Sequence, residues 1–122
     1  MYQSTADIER NRLYITLKGR ITAEESKKAA GQVLEDLKTL KSGFDVITDI
    51  SEFEPVTQKE TEVLVEVQKA FLEEGVNRIV RVIGDELKAT VGKIQFERTS
   101  RQSNVTAENF NSIEEANRFL DG

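Results

Sequence analysis

Four carboxylates and three hydroxyls crowd the stretch DISEFEPVTQKET: Asp49, Glu52, Glu54 and Glu60, with Ser51, Thr57 and Thr61. Carboxylate oxygens gathered in a loop are the usual ligands of magnesium and calcium. A hydroxyl at a helix start, where the macrodipole favours negative charge, suits a phosphate. Asp49 is expected to end a strand and Asp85 to end the next, and α/β folds hold ligands beyond the carboxyl ends of parallel strands. The spacing matches no defined ion loop, so no metal is assigned. Thr57 and Glu60 also form a capping box, in which the hydroxyl accepts from the third helical amide and the carboxylate reaches back to the threonine amide. Capping explains Thr57 without a phosphate, and a phosphate there would be opposed by Glu54 and Glu60.

Other chemistries are removed by composition. The 122 residues include no cysteine and no histidine. Disulfides, thiolate catalysis, zinc-thiolate sites, Ser–His–Asp hydrolysis and histidine phosphotransfer within the chain are therefore excluded. Gly84-Asp85-Glu86 places two acids beside the one glycine that could open a phosphate loop, and they would repel phosphate. For glycoside chemistry, the carboxylates form no recognisable pair. No catalytic residue and no cofactor are assigned, and the expectation is that the protein is not an enzyme.

Net charge is −5, which argues against nucleic acid as the main partner. The charge is uneven. Residues 42–77 hold nine acids against Lys59 and Lys69, whereas residues 78–101 hold six bases against Asp85, Glu86 and Glu97. Solvated helix faces explain this, and so does a partner surface. No run of about 18 apolar residues is present to span a membrane. MYQSTADIER lacks the basic start and apolar centre of a signal peptide, so a cytoplasmic location is expected.

The elements that would hold these residues are read from periodicity. A length of 122 residues suits one domain. Tyr2, Ala6 and Ile8, then Leu13, Ile15 and Leu17, alternate with polar residues at the period of half-buried strands. Arg10-Asn11 between them predicts a hairpin, since asparagine tolerates positive φ. Thr22 and Glu25 form a capping box, followed by a helix to about Leu40 with Ala29, Ala30, Val33, Leu34, Leu37 and Leu40 on one face, ended by Ser42-Gly43. Phe44 to Ile50 predicts a central strand. The helix opened at Thr57 carries Leu64, Val67, Ala70 and Phe71 on its stripe, with Val63 and Val65 flanking, and stops at Gly75. Arg78 to Gly84 is a further interior strand, Leu87 to about Arg101 a third helix, and Asn104 to Phe110 a short edge strand. Ser112 and Glu115 open a last helix expected to bury Ala116, Phe119 and Leu120. The order ββαβαβαβα gives an α/β domain with a mixed five-stranded sheet and helices.

That order, with three segments, resembles the STAS domain, and within it the SpoIIAA-like branch. The segments are Lys18-Gly19-Arg20-Ile21-Thr22-Ala23-Glu24 leading into the first helix, Asp45-Val46-Ile47-Thr48-Asp49-Ile50-Ser51 as the central strand, and Phe110 to Leu120 as the close. STAS domains include the bacterial anti-sigma-factor antagonists and the cytoplasmic tails of sulfate transporters. In the antagonists the loop after the central strand carries Asp-Ser-Ser-Gly, whose serine is phosphorylated by a partner kinase. Here the corresponding positions are Thr57-Gln58-Lys59-Glu60, without the serine and without the glycine.

The resemblance implies a regulatory module that binds a protein partner. The partner surface would comprise Asp49, Ser51, Glu54, Thr57, Leu64 and Phe71, with Thr57 the one phosphorylation candidate. The breadth of the apolar face on the second helix leaves open a small apolar, lipid-like ligand held beneath it. A homodimer is compatible with either.

Overall fold

The computed structural model describes residues 1–54, 58–83, 98, 101–102 and 106–122. Two strands open the chain, β1 (Tyr2–Asp7) and β2 (Arg12–Gly19), followed by α1 (Ala23–Leu37), β3 (Asp45–Phe53), α2 (Gln58–Glu73), β4 (Arg78–Val82), β5 (Glu108–Phe110) and α3 (Ile113–Asp121). The five strands form one sheet in chain order. β1 and β2 pair antiparallel, and β2, β3, β4 and β5 pair parallel. The α/β architecture expected from the pattern is therefore present. The expected helix from Leu87 lies almost wholly outside the described residues, as do the Thr57 cap, Asp85, and Asn104-Val105.

The hairpin turns at Asn11, whose φ is +53°. Its side-chain amide donates to the Lys41 carbonyl at 3.0 Å, and its side-chain oxygen accepts from the Lys41 amide at 2.8 Å. Ile8, expected to continue the strand alternation, instead sits in the turn and is exposed.

Thr22 caps α1 by accepting from the Glu25 amide at 3.1 Å. The Glu25 carboxylate does not reach back to the Thr22 amide as expected; it accepts from the Thr22 hydroxyl at 3.3 Å and faces the Met1 ammonium at 3.5 Å. α1 ends at Leu37, a turn earlier than its apolar pattern suggests. Ala29, Val33 and Leu37 face the core, and Leu34, on the flank of that stripe, is exposed. Gly43 and Gly75 both have positive φ, which glycine adopts without the cost of a Cβ clash. The two crossing loops they occupy are joined, with the Gly43 amide donating to the Gly75 carbonyl at 2.7 Å and the Asn77 amide to the Phe44 carbonyl at 2.7 Å.

The sheet separates two cores. On the face covered by α1 and α2 lie Leu13, Ile15, Leu17, Val46, Ile50 and Ile79, packed with Phe44, Phe53 and Phe71. On the other, Ile47, Val80 and Val82 pack against Ala116 and Leu120 of α3. Period-two alternation along β2, β3 and β4 sorts the residues onto the two faces.

α3 is fixed by polar contacts as well. Ser112 accepts from the Glu115 amide at 3.2 Å, while the Glu115 carboxylate accepts from the amide of Asn111, one residue before the position a capping box requires. Arg12, only 4% exposed, donates to Asn117 Oδ1 at 2.8 Å and to Asp121 Oδ1 at 2.9 Å, and the Tyr14 hydroxyl donates to the same Asn117 oxygen at 2.7 Å. Arg78 donates to Asp45 Oδ2 at 3.1 Å and to the Leu120 carbonyl at 2.9 Å. Phe119 is not buried as expected. It stays partly exposed, with its ring 5.1 Å from that of Phe110 and under the Arg78 guanidinium. β5 is shorter than predicted, because Thr106 and Ala107 lie outside the strand.

Candidate functional site

Asp49 does not end its strand. β4 pairs with β3 only as far as Asp49, opposite Val82, but β3 continues along β2 to Phe53. The continuation holds a bulge: Thr16 faces Asp49 and Lys18 faces Glu52, so Ile50 and Ser51 together oppose Leu17. Bulges bend and twist a strand and re-aim its side chains. Here the Asp49 carboxylate accepts from the Ser51 amide at 3.0 Å and from its hydroxyl at 2.7 Å. The single β-branched, apolar stretch ending in Ile50 hid this extension, since Ser51-Glu52 reads as turn chemistry.

The acids expected to gather in this loop are dispersed. Glu52 pairs with Lys18 at 3.0 Å, with both side chains largely in solvent. Glu54 is exposed, and its amide donates to the Gly19 carbonyl at 3.1 Å, which stitches the strand end to the exit of β2. Among the described residues no group of three or more acids is arranged to hold a metal ion. Asp49, Ser51 and Glu54 thus lie along one strand end, and Thr57 lies outside the described residues. Leu64 and Phe71 are elsewhere: Leu64 is half-buried, and Phe71, only 3% exposed, belongs to the core, where a docking partner would not reach it.

Leu64 and Phe71 instead line a cavity of about 60 Å³ between α1, α2 and the sheet. Its walls are mostly apolar, with Ile15, Leu17, Val33, Phe53 and Val67 among them. Four buried polar side chains also reach it, each nearly sealed from solvent: Ser26 at 8% exposure, Thr48 at 6%, Gln68 at 4% and Arg81 at 3%. Thr48 and Arg81 are register partners on neighbouring strands, so they stand side by side on the sheet face beneath α2. Sequence reasoning missed this set. A charge inside Ile79-Val80-Arg81-Val82 was its one visible sign, because strand alternation puts Arg81 on the same face as the buried Ile79.

No helix among the described residues is long and apolar enough to cross a membrane.

A five-stranded mixed sheet with an N-terminal antiparallel hairpin and helices on both faces is the STAS fold, and the chain adopts that fold. Among solved structures it is similar over its whole length to the anti-sigma factor antagonist SpoIIAA in its unphosphorylated form, with a TM-score of 0.67 at 11% identity, covering 100% of this chain and 99% of that one. The Bacillus cell fate determinant SpoIIAA in its phosphorylated form gives a TM-score of 0.63 at 10% identity, covering 98% and 99%. The protein TM1081 gives 0.62 at 16% identity, covering 99% and 89%. No protein-family model matches the sequence, and no curated protein matches it. At such identities the likeness is one of fold.

Proposed function

We propose that the protein is a non-catalytic regulatory module that acts by binding a protein partner, without the phosphorylated serine of the antagonists it resembles. The observation that carries this reading is the similarity in fold to SpoIIAA, an anti-sigma factor antagonist, over 100% of this chain and 99% of that one. The contact surface would be the end of β3, where Asp49 and Ser51 hold a bulged strand in place and Glu54 is exposed, continued by the acidic outer face of α2 at Glu62 and Glu66. An acidic surface of this kind suits a partner with a basic patch. Native mass spectrometry and pull-down from the source cells should reveal a stoichiometric protein partner lost in Glu54→Lys/Glu62→Lys protein that remains folded. A bare monomer in every preparation, or a complex indifferent to both charge reversals, would sink the reading. Phosphate found by mass spectrometry on Thr57 or Ser51 would reverse the view that this loop has lost its switch.

A second reading, a carrier of a small apolar ligand, is favoured by the cavity beneath α2. Its volume limits what fits: an engineered apolar cavity of 150 Å³ holds benzene, so about 60 Å³ takes less than that unless α2 lifts.

A further inference from the structure

We infer that the outer edge of β1 pairs antiparallel with the same edge of a second copy of this chain, joining two five-stranded sheets about a twofold axis at Ser4. The first ground is the phase of the hydrogen bonds. The Met1 nitrogen donates to the Lys18 carbonyl at 3.0 Å and the Lys18 amide to the Met1 carbonyl at 2.9 Å, so these two residues exchange both bonds. Such pairs alternate along an antiparallel ladder. Gln3, Thr5 and Asp7 therefore bond to their register partners Thr16, Tyr14 and Arg12, and Tyr2, Ser4 and Ala6 turn their N–H and C=O groups away from the sheet. Among the described residues β1 is an edge, with β2 its one neighbouring strand. A row of three donors and three acceptors is left for another strand to read. Natural edges are blunted by lysine, proline, bulges or shortness. From Tyr2 to Ala6 there is no charge and no proline, and the register with β2 is unbroken. β5, at the other edge, has only three residues.

Symmetry and charge name the occupant. A twofold axis perpendicular to the sheet keeps each face on its own side, so residues that come opposite one another must share a face. An axis at Ser4 sets Ser4 opposite its copy, Tyr2 opposite Ala6 and Gln3 opposite Thr5. Every outward N–H and C=O of Tyr2, Ser4 and Ala6 then has a partner, and the Tyr2 ring lies across from a small side chain. An axis at Thr5 would instead leave Tyr2 facing Ile8, which sits in the turn. The two ends of the edge also differ in sign. Lys18 and Arg20 stand against Glu52 at the Met1 end, and Asp7 and Glu9 against Arg10 at the turn. Antiparallel addition brings unlike ends together, as complementary interfaces require. Against it stand the two Asp36 carboxylates, each accepting from its Ser4 hydroxyl at 2.6 Å and so brought near the axis. Their repulsion keeps the dimer weak and reversible.

The test is sedimentation velocity of the full chain up to millimolar concentration, together with register-specific cross-linking, which a sequence without cysteine permits. A monomer–dimer equilibrium is expected. Ala6→Pro removes an outward N–H and no ladder bond, so it should weaken the dimer about tenfold or more while the circular dichroism spectrum stays native. Asp36→Asn should tighten it severalfold. Gln3→Cys and Thr5→Cys alter exposed positions and spare the core. Mixed together, they face each other across a pair with Cα atoms about 4.5 Å apart. Either variant alone would have to bridge about 7–8 Å, beyond the reach of a disulfide. The mixture should therefore cross-link and neither variant by itself. A monomer at every concentration, or a mixture that cross-links no better than either variant alone, would overturn the pairing. A chain that stays monomeric but loses a protein partner in Ala6→Pro would overturn it too, giving the edge to a strand of that partner.

Discussion

The two faces of the sheet hold their helices by different means. α1 and α2, of 15 and 16 residues, cover a mostly apolar surface built around Phe44, Phe53 and Phe71. α3 has nine residues, too few to be stable on its own propensity, and buries only Ala116 and Leu120 fully. It is held in register by hydrogen bonds from Arg12, Tyr14 and Arg78. Burial stabilises in proportion to area and specifies orientation poorly, whereas forked guanidinium contacts specify orientation and contribute little net energy. The buried Arg12 Nε has no hydrogen-bond partner among the described residues, a local cost of about 1–3 kcal/mol that the other contacts of that side chain must offset.

If this contrast is right, the largest loss should come from the α1/α2 face. Phe44→Ala, at a site 1% exposed, is expected to destabilise by about 3–5 kcal/mol in urea unfolding; a loss below about 1 kcal/mol would mean the face tolerates a void. Next comes the polar face, where Arg12→Met should cost about 1–3 kcal/mol because Tyr14 and Asn117 lose a shared partner. That variant should disturb amide chemical shifts in α3 far more than in α1, and a disturbance spread evenly over both helices would erase the distinction. Gly75→Ala should cost about 1–2 kcal/mol, since φ of +86° strains an L-residue and the new Cβ would collide with the Ser42 hydroxyl. Thr22→Ala and Ser112→Ala remove one cap from each face and should each cost about 1 kcal/mol, with serine at position 22 nearly neutral.

The smallest effect is in pH. The hydrogen bond from Arg12 holds the Asp121 carboxyl below its ordinary value of 3.8. Burial disfavours the Arg12 charge, but its hydrogen bonds to Tyr14 and Asp121 outweigh this and raise its pKa. A carboxylate depressed in the folded state contributes stability above its unfolded pKa and loses it as pH falls through the folded value. Asp121→Asn should therefore flatten the stability profile only below about pH 4. An unchanged acid limb would show that the exposed end of this pair adds nothing.

The helices were legible because their signals are local. Thr22 and Ser112 cap where the sequence places them, and the apolar spacing of α1 and α2 identifies their inward faces. β3 was legible in its middle and not at its end, since the bulge at Ile50-Ser51 depends on pairing with β2, which no local pattern records. Phe119 was read as core from its spacing with Ala116 and Leu120, but the stacking of Arg78 and Phe110 gives it a half-exposed place instead. The site was the least legible part. The eye goes to the acids of residues 49–61, whereas the buried polar side chains that converge on one cavity, Ser26, Thr48, Gln68 and Arg81, come from four elements and are joined only by the fold.

The stitching at the amino-terminal end of the parallel strands bears on how the molecule breathes. Asn11 bridges to Lys41, the Gly43 amide is held by Gly75, and the Phe44 carbonyl by Asn77. These loop amides should exchange with solvent deuterium slowly, as strand amides do, and become free only when the whole domain unfolds. The base of the sheet is thereby one cooperative unit, the part of the fold expected to open last.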